Sequence, residues 1–387
     1  MSKLEKNFII ENASLVCPEG IIEGGTLAVE NGVIAELRSD LLPGGKKRID
    51  AQGMLVLPGF IDIHSDAIEK EIEPRPRSYF PFDIAIAELD KKMAASGITT
   101  IYHSLSFAEH EIGLRENETA AEIVKKINTM APHLSVNTKV HVRYEITDTT
   151  AVTCLAELVR GGSAHLLSFM DHTPGQGQFK EVMEFKNYFG TVYQKHSTEL
   201  DSMIERKLSV LQDTKEEMLA YLIDLCKRNE IPLASHDDDT AEKIDWMQSM
   251  GITITEFPVN LEAARYASDK GLYVCVGAPN VLRGGSVIKN LSARQAVGDS
   301  CVDIICSDYV PMAMLHAVFI LHRTLALPLH EVAKMTSLYP AEAVGISGYT
   351  GSLEAGKVAD LIIVDQTDAI PRIKKTFVSG REAFSTY

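Results

Sequence analysis

Residues 59–66, Gly-Phe-Ile-Asp-Ile-His-Ser-Asp, deliver a histidine and a carboxylate two positions apart at the end of a short apolar run. On an extended strand, side chains i and i+2 leave the same face, so His64 and Asp66 could share one divalent ion. The competing reading is a satisfied core histidine followed by an aspartate that caps a helix, and this stretch alone does not separate the two. Recurrence does. Glu145, Asp171 with His172, His236 with Asp237 to Asp239, and Asp308 each end or follow another apolar or β-branched run. Imidazoles and carboxylates meeting at one place are what a divalent transition metal requires, with a position left open for water. One carboxylate can bridge two ions about 3.5–4 Å apart, and such a pair can hold a hydroxide and clamp the entering and leaving oxygens of a displacement. Glu145 is the candidate bridge. Asp308 is the candidate proton acceptor, a carboxylate able to take the proton of metal-bound water as attack begins.

A second set of residues could hold an anion. Gly277-Ala-Pro-Asn-Val-Leu-Arg-Gly-Gly-Ser follows the seventh run. Gly284 and Gly285 would let backbone N–H groups approach an anion closely, with Asn280 beside them, and Arg283 could grip a phosphate through two hydrogen bonds. The alternative is a tight turn with a solvated arginine. Lys70, Arg75 and Arg77 follow the first run and could meet an anionic tail, or belong to a rigid Pro-spaced surface loop. His103 reads as a core or supporting residue, and His141 and His165 as structural. His110, His133, His196, His316, His322 and His330 read as surface or packing residues.

These side chains need a scaffold that brings distant strand ends together. Apolar or β-branched runs occur at 59–64, 98–105, 139–146, 165–170, 231–235, 252–257, 272–276 and 302–307, with helical patterns between most of them, such as 83–96, 117–130 and 216–228. Eight strands alternating with helices predict an α/β fold, a (β/α)8 TIM-type barrel over 58–346 with its site at the C-terminal strand ends. Residues 1–57 and 347–387 read as short β segments, with an Asn31-Gly32 hairpin turn, and are expected to pair into a small β-sandwich. The connection over 173–229 is too long for a plain crossover. It predicts a helical insertion, either a lid over the site or a segment packed on the barrel's outside.

Composition narrows the partners. A net charge of −15 over 387 residues argues against nucleic acid and against an anionic membrane, since both select a basic face. An anionic small-molecule substrate would need bound cations and a few placed arginines. Six cysteines without a C-x-x-C pair indicate neither a disulfide framework nor a thiolate zinc site. No run reaches transmembrane length and the first residues lack a signal-peptide core, so the cytoplasm is the expected compartment.

Residues 57–64, Leu-Pro-Gly-Phe-Ile-Asp-Ile-His, together with Gly351-Ser-Leu-Glu-Ala-Gly-Lys-Val-Ala-Asp-Leu-Ile-Ile, resemble the metal-dependent amidohydrolase superfamily. His64-Ser-Asp66, Pro74-Arg-Pro-Arg, His141-Val-Arg-Tyr-Glu145, Met170-Asp-His-Thr-Pro-Gly-Gln, Ala234-Ser-His-Asp-Asp, Glu256-Phe-Pro, the Arg283 loop and Ser307-Asp-Tyr-Val-Pro resemble its PhnM branch. Members of that branch release pyrophosphate from α-D-ribose 1-methylphosphonate 5-triphosphate in the carbon–phosphorus lyase pathway. The resemblance implies two divalent ions, zinc foremost with manganese or iron suited to the same donors, and attack of metal-bound hydroxide on a phosphoanhydride phosphorus. It implies His64, Asp66, Glu145, His172, His236 and Asp308 as metal-site residues, and Arg283 with its glycines as a phosphate cradle. It also implies a homo-oligomer, since superfamily relatives are often dimers or larger. Two departures stand out. The superfamily usually carries H-x-H on its first strand and takes later ligands from the fourth, fifth, sixth and eighth, whereas here Glu145 and the next two histidines fall one strand earlier. The branch's usual His-Ser-Gly-Asn is here Val287-Ile288-Lys289-Asn290. The alternative functions are an amidohydrolase acting on carbon, a deaminase or cyclic-amide hydrolase, and a non-catalytic scaffold.

Overall fold

The computed structural model describes residues 6–40, 47–109, 114–175, 182–183, 185–186, 190, 197–285 and 290–386. The departure at 287–289, His110, His196 and much of the expected helix at 179–188 lie outside the described residues. The opening segments become strands β1 (Phe8–Cys17), β2 (Gly20–Glu30), β3 (Val33–Arg38), β4 (Lys47–Asp50) and β5 (Leu55–Pro58). Asn31 and Gly32, at φ 53° and 84°, turn the chain between β2 and β3. Such a pair of positive φ values is what a tight hairpin asks for.

The eight apolar runs all become parallel strands, hydrogen-bonded in sequence order: β6 (Phe60–Ser65), β7 (Ile98–Phe107), β8 (Asn137–Glu145), β9 (Leu166–Met170), β10 (Leu233–His236), β11 (Ile254–Glu256), β12 (Tyr273–Gly277) and β13 (Ile304–Cys306). Their runs read as continuously apolar because both faces are covered: Ile61, Tyr102, Leu166, Ala234, Ile254, Cys275 and Ile304 fill the interior. Helices α1 (Ala67–Ile72), α2 (Phe82–Ala95), α3 (Asn117–Met130) and α4 (Ala151–Arg160) follow the first three strands. Ile86, Leu89, Ile123, Val124, Leu155 and Leu158 turn their apolar faces into the surrounding core.

The cylinder closes between its first and last strands. The Asp308 N–H donates to the His64 carbonyl at 3.1 Å and the Asp66 N–H to the Asp308 carbonyl at 2.6 Å. At the other end the carbonyls of Met335 and Thr336 accept from Ile305 and Ile61, at 2.9 and 2.8 Å. The long connection between β9 and β10 carries α5 (Ser197–Ser209) and α6 (Gln212–Arg228). Leu219, Leu222 and Ile223 of α6 enter the main core, so this helix serves as a barrel crossover helix, while α5 reaches Glu145 at the C-terminal strand ends.

The chain then returns to its start. β14 (Leu361–Asp365) pairs antiparallel with β5, and β15 (Arg372–Val378) and β16 (Arg381–Ser385) extend the same eight-stranded, mainly antiparallel sheet. Phe8 stacks on Phe377 at 4.9 Å between centroids. The two stretches that carry the amidohydrolase resemblance meet where the Gly59 N–H donates to the Asp360 carbonyl, at 2.9 Å. No helix among the described residues is long and apolar enough to cross a membrane.

Candidate metal centre

The strand ends bring together two groups of buried donors. The first is His64, His141 and Glu256; the second is His172, His236 and Asp237; in each, one ligand atom per residue lies within 4.8 Å of the others. In the first group His64 Nδ1 is 2.9 Å from Glu256 Oε1, and His141 Nε2 is 3.8 Å from Glu256 Oε2. A shift in register between Asp62 and Ser65 marks a bulge in β6 around His64, at the rim where strands re-aim their side chains. His141 belongs to β8, whose alternation puts His141, Arg143 and Glu145 on one face. Burial drives the His141 imidazolium pKa down to about 3, which leaves the ring neutral with a lone pair to donate. Burial raises the Glu256 pKa, but the adjacent His64 outweighs it and holds the carboxyl at about 2, so it is ionised.

In the second group His236 Nδ1 lies 2.9 Å from Asp237 Oδ2, and His172 Nε2 lies 3.7 Å from the same oxygen. Glu145 stands behind His172, with Oε2 at 2.9 Å from Nδ1, and accepts from the Thr147 hydroxyl at 2.8 Å and the Lys207 ammonium at 3.2 Å. Burial alone would raise its proton affinity, yet Lys207 and His172 together push the pKa well below the ordinary carboxylate value.

Arg143 joins the two groups. Its Nη1 donates to both Asp66 oxygens at 3.0 and 3.1 Å, and its Nη2 faces His236 Nε2 at 3.0 Å. Asp66 is the residue before α1, but its side chain caps nothing there and serves Arg143 instead, with His64 Nε2 3.7 Å away. Asp308 sits against the seventh strand, where a Cβ on Gly277 would lie 3.2 Å from its Oδ2. Burial first, and Asp66 second, push its pKa up to about 7 against the pull of His64, Arg143 and Arg283.

His64, Asp66, Glu145, His172, His236 and Asp308 therefore meet at one mouth, with His64 and His236 5.5 Å apart between ring centroids. Glu145, expected as a bridge, has its oxygens on Thr147, Lys207 and His172, to one side of the second group. The anion-binding residues are less concentrated. Asn280 donates to the Leu291 carbonyl at 2.8 Å and accepts from the Ala293 N–H at 3.1 Å, so its amide pins the loop instead of facing a ligand. Gly284 ends the helix Ala278–Arg283 in the left-handed region, and its N–H closes that helix on the Asn280 carbonyl, where a free amide was expected. Gly285 borders the undescribed 286–289. Arg283 is exposed and donates to the Tyr309 hydroxyl. Lys70, Arg75 and Arg77 are exposed on the segment after β6.

Sequence reasoning named Asp237 only among the strand-end carboxylates, read His141 as structural, and gave no site role to Glu256, Arg143 or Lys207. The even spacing 141, 143, 145 and the strand-end acid of Ile254-Thr-Glu256 were the available signals for three of them.

The donor set suits a divalent ion. His141 Nε2, Glu256 Oε2, His236 Nδ1 and Asp237 Oδ2 are buried, yet none makes a hydrogen bond among the described residues. Donor atoms packed this closely without a well-aligned hydrogen bond would be satisfied by a cation, and an all-nitrogen, all-oxygen set matches zinc, manganese or iron. Glu145 ends the third strand, His236 the fifth and Glu256 the sixth, while His172 and Asp308 follow the fourth and eighth.

A barrel of this kind with such a rim defines the metal-dependent amidohydrolases. The amidohydrolase family pattern matches residues 55–383, and the chain belongs to that family of hydrolases. The α-D-ribose 1-methylphosphonate 5-triphosphate diphosphatase of Escherichia coli K12 is 30% identical over 384 residues, covering 97% of this chain and 100% of that protein. An imidazolonepropionase of Thermoplasma volcanium is 22% identical, covering 94% of this chain and 91% of its own. Among solved structures, a 5-methylcytosine deaminase from Klebsiella pneumoniae superposes with a TM-score of 0.66 at 15% identity over 98% of each chain.

Proposed function

We propose that this hydrolase cleaves a phosphoanhydride of a ribose-triphosphate-type phosphonate and releases pyrophosphate. The observation that carries the reading is the pair of adjoining donor groups joined by a buried guanidinium, Arg143, with a second buried cation, Lys207, on the opposite flank. A neutral substrate transformed at carbon needs no buried cations flanking the metal groups. The likeness to the Escherichia coli diphosphatase over the full chain supports the same reading.

Two divalent ions, when bound at these groups, supply an activated water and neutralise charge on the phosphoryl oxygens. His64, His141 and Glu256 would hold one, and His172, His236 and Asp237 the other, with Glu145 orienting His172 as carboxylates orient ligating histidines. Asp308 accepts the proton of the attacking water. Burial and Asp66 raise its proton affinity, which makes it a stronger base than an exposed aspartate. Arg143 steadies Asp66 and holds a fixed positive charge beside His236. The free state of all six cysteines fits the expected cytoplasmic setting.

The test is a substrate panel of α-D-ribose 1-methylphosphonate 5-triphosphate, ATP and dihydroorotate, each with zinc- or manganese-loaded enzyme, read by phosphorus NMR for pyrophosphate and by ultraviolet absorbance for ring opening. Pyrophosphate from the ribose triphosphate is expected. Ring opening of the cyclic amide without any pyrophosphate would replace this reading with a carbon-directed one.

A further inference from the structure

Helix α5 buries Leu200, Met203, Ile204 and Lys207, the i, i+3, i+4, i+7 stripe by which an amphipathic helix docks. An apolar side chain belongs at the last of these positions. Helix α6 repeats the anomaly, with Lys215 opening the stripe of Leu219, Leu222, Ile223 and Cys226. Their side chains are only 8% and 9% exposed. A buried lysine is expensive, and a well-packed apolar residue in its place is often neutral or stabilising. Both depart from the pattern on the same connection, and both are aimed at the catalytic rim: Lys207 Nζ lies 3.2 Å from Glu145 and 3.4 Å from the Thr147 hydroxyl, and Lys215 Nζ lies 4.0 Å from Asp171, the neighbour of His172.

We propose that Lys207, backed by Lys215, is a substrate-binding cation that the inserted segment supplies to the metal centre, and that it selects phosphorylated anions over neutral substrates. The inference rests on the phosphoanhydride reading above. The barrel's own buried cation, Arg143, is committed to Asp66 and His236, on the other side of His172 and Glu145. Two divalent ions would largely offset the carboxylates of Asp66, Glu145, Asp237, Glu256 and Asp308, which leaves the charge of a polyphosphate itself to be met by cations flanking the mouth. Lysine suits the task because its compact ammonium on a flexible stem can exchange a carboxylate partner for a phosphoryl oxygen. Helices α5 and α6 then form a working wall of the site.

The experiment measures methylenebisphosphonate binding by calorimetry to zinc-loaded wild type, Lys207→Met and Lys207→Arg, with metal content and thermal midpoint recorded for each. Met preserves the stem's packing. The expected result is at least tenfold weaker binding in Lys207→Met and binding within threefold of wild type in Lys207→Arg, at unchanged metal content. Wild-type affinity in metal-loaded Lys207→Met would overturn the proposal, leaving Lys207 as a structural partner of Glu145. If Lys207→Met does not fold, Lys207→Gln is read by the same two criteria. A wild type that releases no pyrophosphate from the ribose triphosphate counts against the functional reading alone, since bisphosphonate binding is scored separately.

Discussion

Asp237, Phe257 and Asp308 each take a positive φ, 54°, 53° and 58°, one residue past a strand end or its neighbour. Left-handed backbone costs a non-glycine residue about 1–2 kcal/mol. Here each such residue still donates its N–H to the adjacent strand, to the carbonyls of Glu256, Cys275 and His64 respectively, so the turn is held by the ladder it ends. The turn swings Asp237 onto His236 and seats Asp308 against Gly277. Strain at these positions is consistent with a site whose side chains must be aimed. Gly277→Ala is therefore expected to displace Asp308 and lower kcat at least tenfold, with metal content retained on elemental analysis. Asp308→Asn should abolish turnover while the ions remain bound; near-normal activity in that variant would remove Asp308 from the mechanism. Because the carboxyl must be ionised to accept a proton and its pKa is raised, activity should rise with pH along a limb at or below about 7, measured as kcat/KM from pH 5 to 9.

The elements behind the rim hold it in register. Lys243 donates to the carbonyls of His236 and Asp237 at 2.9 and 3.1 Å and pairs with Asp238 at 3.3 Å. Asp238 is fully buried and accepts from the hydroxyls of Ser235 and Thr255, tying β10 to β11. Asp238→Ala would strand a lysine and two hydroxyls, at a cost of about 3 kcal/mol or more in urea denaturation. On β6, Asp62 accepts from the Ser307 N–H at 3.0 Å, and burial raises its pKa to about 6 from the ordinary 3.8. A folded pKa above the unfolded one means that the stabilisation from the proton is complete below about pH 4 and lost as pH rises through about 6. Asp62→Asn cannot ionise. In metal-free protein its stability relative to wild type should climb between pH 4 and 7, by up to about 3 kcal/mol. A relative stability independent of pH would show that Asp62 is not held in its neutral form.

Across the whole molecule, the eight strand runs were legible because each is apolar on both faces and bounded by turn or helix signals, and barrels place chemistry at strand ends. That logic reached His64, Asp66, Glu145, His172, His236 and Asp308 directly. It read His141 as structural, although residues 141, 143 and 145 share one face of the strand. It could not reach Lys207, whose partner Glu145 lies 62 positions earlier and meets it only through the packing of α5. It overread the Arg283 loop, since nothing local reveals that Asn280 and the Gly284 amide are consumed by the loop's own hydrogen bonds. The chain ends were legible as β segments, though the joining of β5 to β14 depends on long-range closure that no local pattern carries.

The central claim is that two donor groups at one barrel mouth each hold a divalent ion. Anomalous diffraction from zinc-soaked crystals at the zinc absorption edge tests it most directly. Two peaks are predicted in each chain, one among His64, His141 and Glu256 and one among His172, His236 and Asp237. A map with no peak at the mouth, or with zinc bound only at surface residues, would contradict it.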